Sequence, residues 1–148
     1  MSLKIRLTDF RVNIICNNAG WTISKLMEIN SMTGKILVTC SGISSTGKLT
    51  LQAANSFILR NPGVFERHVS ASAMNEKIKE MLKDNAFLVV LDGCPDCCSC
   101  KKIQKAGVEP DIHIIATELG IEKRGAEDPY FSEIDAVLAE LKKRLKKL

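Results

Sequence analysis

The sequence predicts a doubly wound parallel α/β domain, and three observations carry that reading. From about residue 35, short apolar runs alternate with segments whose apolar residues recur at helical spacing. The run 86–91, Ala-Phe-Leu-Val-Val-Leu, is apolar without alternation, as a strand buried on both faces requires. Breakers stand where helices should stop: Asn61-Pro62-Gly63 after the first, Gly107 after the third. Strand then helix, repeated, calls for crossover connections with helices on both faces of one sheet.

The elements follow in order. Residues 36–39 read as a short buried strand and 41–45 as a loop. Residues 46–60 read as a helix with Leu49, Ala53 and Phe57 on its inner face. A partly polar edge strand is expected at 64–69. A helix at 74–83 carries Met74, Ile78, Met81 and Leu82, and the central strand follows at 86–91. Residues 95–106 read as a helix with Pro95 in its first turn. A fourth strand at 112–116 and a helix from Ser132, with Ile134, Val137, Leu138, Leu141 and Leu145 on one face, complete the domain. The expected strand order is 2-1-3-4, the flavodoxin-like arrangement, which reverses between the first and third strands. Ligand sites form at that reversal, outside the carboxyl ends of the strands. One domain at 34–148 is expected, behind an N-terminal extension at 1–33. There Ile5, Leu7, Phe10, Val12 and Ile14 suggest one or two extra strands, residues 21–29 a short helix, and Cys16 a packing residue.

Bulk properties exclude several roles. A hydrophobic content of 45% and a charged content of 26% are ordinary for a soluble globular protein. No apolar stretch is long enough to cross a bilayer, and the N-terminus lacks a secretory signal. A cytoplasmic protein with reduced thiols is expected. The net charge of +4 collects largely at Lys142, Lys143, Arg144, Lys146 and Lys147, where cations complement a helix C-terminus. With only 5% aromatic residues, no stacking platform accompanies them, so no nucleic-acid partner is expected.

The cysteines carry the chemistry. Cys94, Cys97, Cys98 and Cys100 fall within seven residues, in the run LDGCPDCCSCKK. Cys40 follows the first strand as Cys94 follows the third, so the reversal in strand order should bring the two together. A helix starting at Pro95 would put Cys94 at its N-cap, favouring the thiolate. Cys98 would then share its face, and Cys97 and Cys100 would form a pair on a neighbouring face. Zinc takes four ligands in a tetrahedron, with sulfurs at about 2.3 Å. Cys40, Cys94 and Cys98 supply three; the fourth could be Cys97, Cys100, His68 or a water. An iron–sulfur cluster is the alternative cofactor.

At these residues the chain resembles the DGC-domain family. The resemblance rests on Asp92-Gly93-Cys94-Pro95 with Cys98 and Lys101, and on Cys40-Ser41-Gly42-Ile43-Ser44 with Gly47, Leu49 and Thr50. The segment Thr117-Glu118-Leu119-Gly120-Ile121-Glu122-Lys123 is its third part. It implies a small α/β domain that binds zinc through cysteines, in a structural, sensory or delivery role. Where members carry a further cysteine near the second strand, this chain has His68; Cys97 and Cys100 are additions.

Other readings compete at the first loop. Gly42 to Lys48 matches G-x4-G-K, but the hydroxyl that magnesium needs next is replaced by Leu49, which disfavours nucleotide chemistry. A small anion could still sit at Ser41, Gly42, Ser44 and Gly47, at a helix N-terminus. Cysteine before such a loop is also similar to the phosphocysteine loops of sugar-phosphotransferase B subunits and low-molecular-weight phosphatases. The latter need arginine where this chain has Thr46. A zinc- or thiol-dependent enzyme acting on a small anionic substrate is therefore the alternative function, with redox chemistry at Cys94/Cys97 or Cys97/Cys100 within it. Asp92 reads as a helix cap or a partner behind the ligands, and His113, between Ile112 and Ile114, as a structural histidine.

Overall fold

The computed structural model describes residues 34–83 and 87–147, together with Arg6–Leu7 and Phe10–Arg11. The chain divides into two units, Met1–Met32 and Thr33–Leu148. In the first, Arg6–Leu7 pairs antiparallel with Phe10–Arg11. The readings of Cys16 and of residues 21–29 lie outside the described residues.

The second unit is the expected α/β domain. Its strands are β1 (Lys35–Thr39), β2 (Arg67–Ser70), β3 (Phe87–Asp92) and β4 (Ile112–Ile115). All pair in parallel, in the order β2-β1-β3-β4. Its helices are α1 (Ser45–Arg60), α2 (Glu76–Lys83), α3 (Cys98–Lys105) and α4 (Phe131–Leu145). Short 3-10 turns follow β2 at Ala71–Ala73 and β4 at Ala116–Leu119.

The side-chain period of two divides the sheet into two faces. Leu37, Val89, Leu91, Ile112 and Ile114 pack with Leu49, Ala53 and Phe57 of α1 and Val137, Leu138 and Leu141 of α4. Ile36, Val38, Val69, Leu88 and Val90 pack on the other face with Leu82 of α2 and Cys100 and Ile103 of α3. The register pairs His113 with Val90, and so assigns His113 to the α2/α3 face. It pairs His68 with Leu37, on the α1/α4 face.

Two elements differ from expectation. The edge strand begins at Arg67 rather than Val64, after the amide of Glu66 meets the Lys35 carbonyl at 2.9 Å. The third helix begins at Cys98, not Pro95, because residues 94–97 form a turn closed by the Cys97 amide on the Cys94 carbonyl at 3.1 Å. Cys94 is therefore not the N-cap, and Cys94 and Cys98 do not share a helical face. Cys97 stands at the N-cap in the left-handed region, with φ 47°.

Candidate metal centre

The turns after β1 and β3 are neighbours by hydrogen bonding. The Cys40 amide donates to the Leu91 carbonyl at 3.0 Å, carrying the sheet pairing one residue past β1. Glycines let the turns close further. A Cβ on Gly93 would stand 2.7 Å from the Thr46 carbonyl carbon and oxygen, and one on Gly47 would stand 2.5 Å from the Gly42 carbonyl oxygen. Both contacts are shorter than side chains tolerate, so close backbone approach accounts for the glycines of the D-G-C and C-S-G-x4-G patterns. The Thr50 hydroxyl bonds the carbonyls of Cys40 at 2.6 Å and Gly47 at 2.9 Å, fixing the first loop.

Cys40 is half-buried at this junction. Burial pushes its thiol up, and the Asp92 and Cys98 charges add to that, while the amides of Gly42 and Gly93 pull the other way. Burial thus works against the thiolate that phosphocysteine chemistry would need. Cys98, at the start of α3, is exposed.

Asp92 organises the second turn. Its carboxylate is 1% exposed. It accepts from the Ser99 amide at 2.9 Å, the Cys100 amide at 3.1 Å and His113 Nε2 at 2.9 Å. The first two are the bonds an N-cap side chain makes with the opening amides of a helix. Asp92, reaching across from the end of β3, thus caps α3 in place of Cys97. Because an ionised carboxylate only accepts, His113 must carry its proton on Nε2.

Three side chains converge here: among the described residues, Asp92, Cys97 and His113 bring potential ligand atoms within 4.8 Å of one another. Burial pushes the Cys97 thiol up, and Asp92 and Cys100 reinforce this. Carboxylate, thiol and imidazole together suit a cation better than a free thiolate.

The remaining candidates separate. Cys94 is 9% exposed and donates to Asp96 Oδ2 at 3.2 Å, while Lys123 Nζ donates to Cys94 Sγ at 3.5 Å. The Cys94 and Lys123 bonds hold the Asp96 carboxyl below its usual range. Cys100 is buried among apolar residues of the α2/α3 face, and burial pushes its thiol up. His68 Nε2 meets Thr39 Oγ1 at 2.9 Å, and burial holds its imidazole toward the neutral form. The structure brings His113, not His68, to the cysteine turn.

The anion site expected at the first loop has internal partners. The Gly47 amide donates to Ser44 Oγ at 3.2 Å, and the Ser45 amide to the Gly125 carbonyl at 2.9 Å. Lys48 Nζ lies 2.6 Å from the Ala126 carbonyl and 2.9 Å from Asp128. An anion at Ser41, Gly42, Ser44 and Gly47 would have to displace these bonds, and the G-x4-G-K lysine is turned to residues 126–128.

The carboxylate, thiol and imidazole of Asp92, Cys97 and His113 form a group at this end of the sheet that could hold a metal ion. The DGC domain model matches residues 36–141. No curated protein and no solved structure matches the chain significantly. The match spans most of the chain and both cysteine turns, and the chain belongs to the DGC-domain family.

Proposed function

We propose that this protein binds zinc through Cys40, Cys94 and Cys98, in a sensing or delivery role. The observation that carries the reading is the hydrogen bond of the Cys40 amide to the Leu91 carbonyl at 3.0 Å, which joins the first cysteine turn to the end of β3, three residues before Cys94. The Cys40, Cys94 and Cys98 sulfurs do not form a group within 4.8 Å, so zinc would have to draw the exposed Cys98 in from the start of α3. The other thiols and His68 have other surroundings: Cys100 in the core, Cys97 with Asp92 and His113, His68 on the opposite sheet face. That leaves the fourth position to a water or an exchangeable ligand, where a bound zinc supplies Lewis acidity.

A purely structural zinc fits less well. Small domains that need metal to fold lack a sufficient core, whereas here both sheet faces are packed by helices. The enzyme reading gains one specific support, the ammonium of Lys123 beside Cys94, which would attract an anionic substrate to the open position.

Elemental analysis of protein purified without added metal tests the proposal, with thiols counted before and after chelation. At least one equivalent of zinc is expected. One equivalent should be lost in Cys40→Ser, Cys94→Ser and Cys98→Ser and none in Cys100→Ser. Zinc well below one equivalent, with all thiols titratable from the outset, would refute the reading. Oxygen-sensitive visible colour in anaerobically prepared protein would assign the thiols to iron and sulfur instead.

A further inference from the structure

The group Asp92, Cys97 and His113 is not explained by a thiol centre at Cys40, Cys94 and Cys98. Each of its members comes from a different place: the end of β3, the N-cap of α3, and the middle of β4. The register assigns His113 to the sheet face on which α3 packs, and Asp92 binds its Nε2 at 2.9 Å. A cation that replaces the proton shared by these two groups would take the Asp92 oxygen and His113 Nε2 together with the Cys97 sulfur.

Cys97 adds a second, independent sign. Among the described residues it is the only one other than glycine with positive φ. That conformation is costly for a side chain bearing a Cβ, and strain of this kind concentrates at binding sites. A thiol relay is the competing explanation, but the geometry opposes it. In a nucleophilic relay the imidazole separates thiol from carboxylate. Here a carboxylate oxygen of Asp92 itself lies within 4.8 Å of the Cys97 sulfur. Two groups that repel when ionised, with an imidazole beside them, are an arrangement that a cation resolves.

We propose that Asp92, Cys97 and His113 form a second divalent-cation site, separate from the Cys40–Cys94–Cys98 centre. Its mixed oxygen, sulfur and nitrogen donors suit a borderline ion such as zinc or cobalt(II) and disfavour magnesium and calcium, which take oxygen ligands. The site goes beyond the function proposed above and does not depend on it.

Cobalt(II) titration of the reduced full-length protein, followed by visible absorption and bound-metal stoichiometry, tests this. Wild type should take two equivalents. His113→Gln and Cys97→Ser should each lose one and keep the strong thiolate-to-cobalt band of the other centre. Cys40→Ser should lose that band and keep the equivalent that His113 and Cys97 hold. Gln at 113 can still donate to Asp92, so α3 stays capped; should that variant fail to fold, Cys97→Ser decides. If one equivalent vanishes in all three variants, the two groups are a single centre and the second site is overturned. If no equivalent is lost in His113→Gln and Cys97→Ser but kept in Cys40→Ser, it is likewise overturned. An equivalent that behaves as proposed, without any that Cys40→Ser removes, would overturn the thiol centre alone.

Discussion

Asp92 and Ser99 are neighbours at the start of α3, both buried, and they should respond to substitution in opposite directions. The Asp92 carboxylate satisfies two helix amides and one imidazole. Asp92→Ala removes the acceptor and leaves all three donors without it in the interior. Hydrogen bonds to a charged group contribute about 1.5–3 kcal/mol each and are not additive, so a loss of about 2–4 kcal/mol is expected. The Ser99 hydroxyl is 0% exposed and has no hydrogen-bond partner among the described residues. Ser99→Ala removes a buried, unpaired polar group and a weak helix former together, and should raise stability by about 1 kcal/mol. Denaturant unfolding of both variants checks the pair. A destabilised Ser99→Ala would mean that its hydroxyl has a partner, such as a water or an ion, that the protein atoms do not supply.

At the scale of elements, the sheet was legible because its two central strands are short apolar runs and breakers end the helices between strands, and β3 is the clearest strand. Its strand order was legible too, since alternating strands and helices leave few arrangements. The start of α3 was not, because its cap comes from Asp92, outside the helix, and no local capping signal marks Cys98. The choice between the two histidines turned on register. His68 lies on an edge strand that begins three residues later than its apolar pattern suggests, so its face could not be assigned from sequence. His113 sits between Ile112 and Ile114, whose side chains fill the α1/α4 core, and alternation alone assigns it to the other face. What the sequence could not supply was that Asp92 and Cys97 would be waiting there. The junction of the two turns gives the element-scale prediction. Gly93→Ala drives a methyl into the first turn of α1 at Thr46, and should cost about 1–3 kcal/mol as overpacking does. It should also weaken zinc binding several-fold by parting Cys40 from Cys94, read by competition with a chromophoric chelator. Unchanged affinity would show that the turns need not touch to hold the ion.

For the molecule as a whole, the question is whether the metal builds the fold or is carried by it. The hydrophobic clusters on both faces of the sheet are formed by residues outside the cysteine turns, Cys100 and the partly buried Cys97 excepted. The cap on α3 comes from Asp92, and the bridge between the first residue of α1 and the segment at 124–125 comes from hydrogen bonds of Ser45. None of these contacts waits for an ion. Removing metal should therefore leave the helical and strand signal in far-ultraviolet circular dichroism unchanged, with cooperative unfolding retained. The melting temperature should fall only by the mass-action contribution of a bound ligand, and recover with added zinc in proportion to the logarithm of its free concentration. A domain whose metal was structural would instead lose its secondary structure on chelation. Loss of the circular dichroism signal in chelator would return the zinc to a structural role and remove the case for sensing or delivery. A stable metal-free form would give the protein what a sensor or carrier needs: a folded state competent to take up and release its ion.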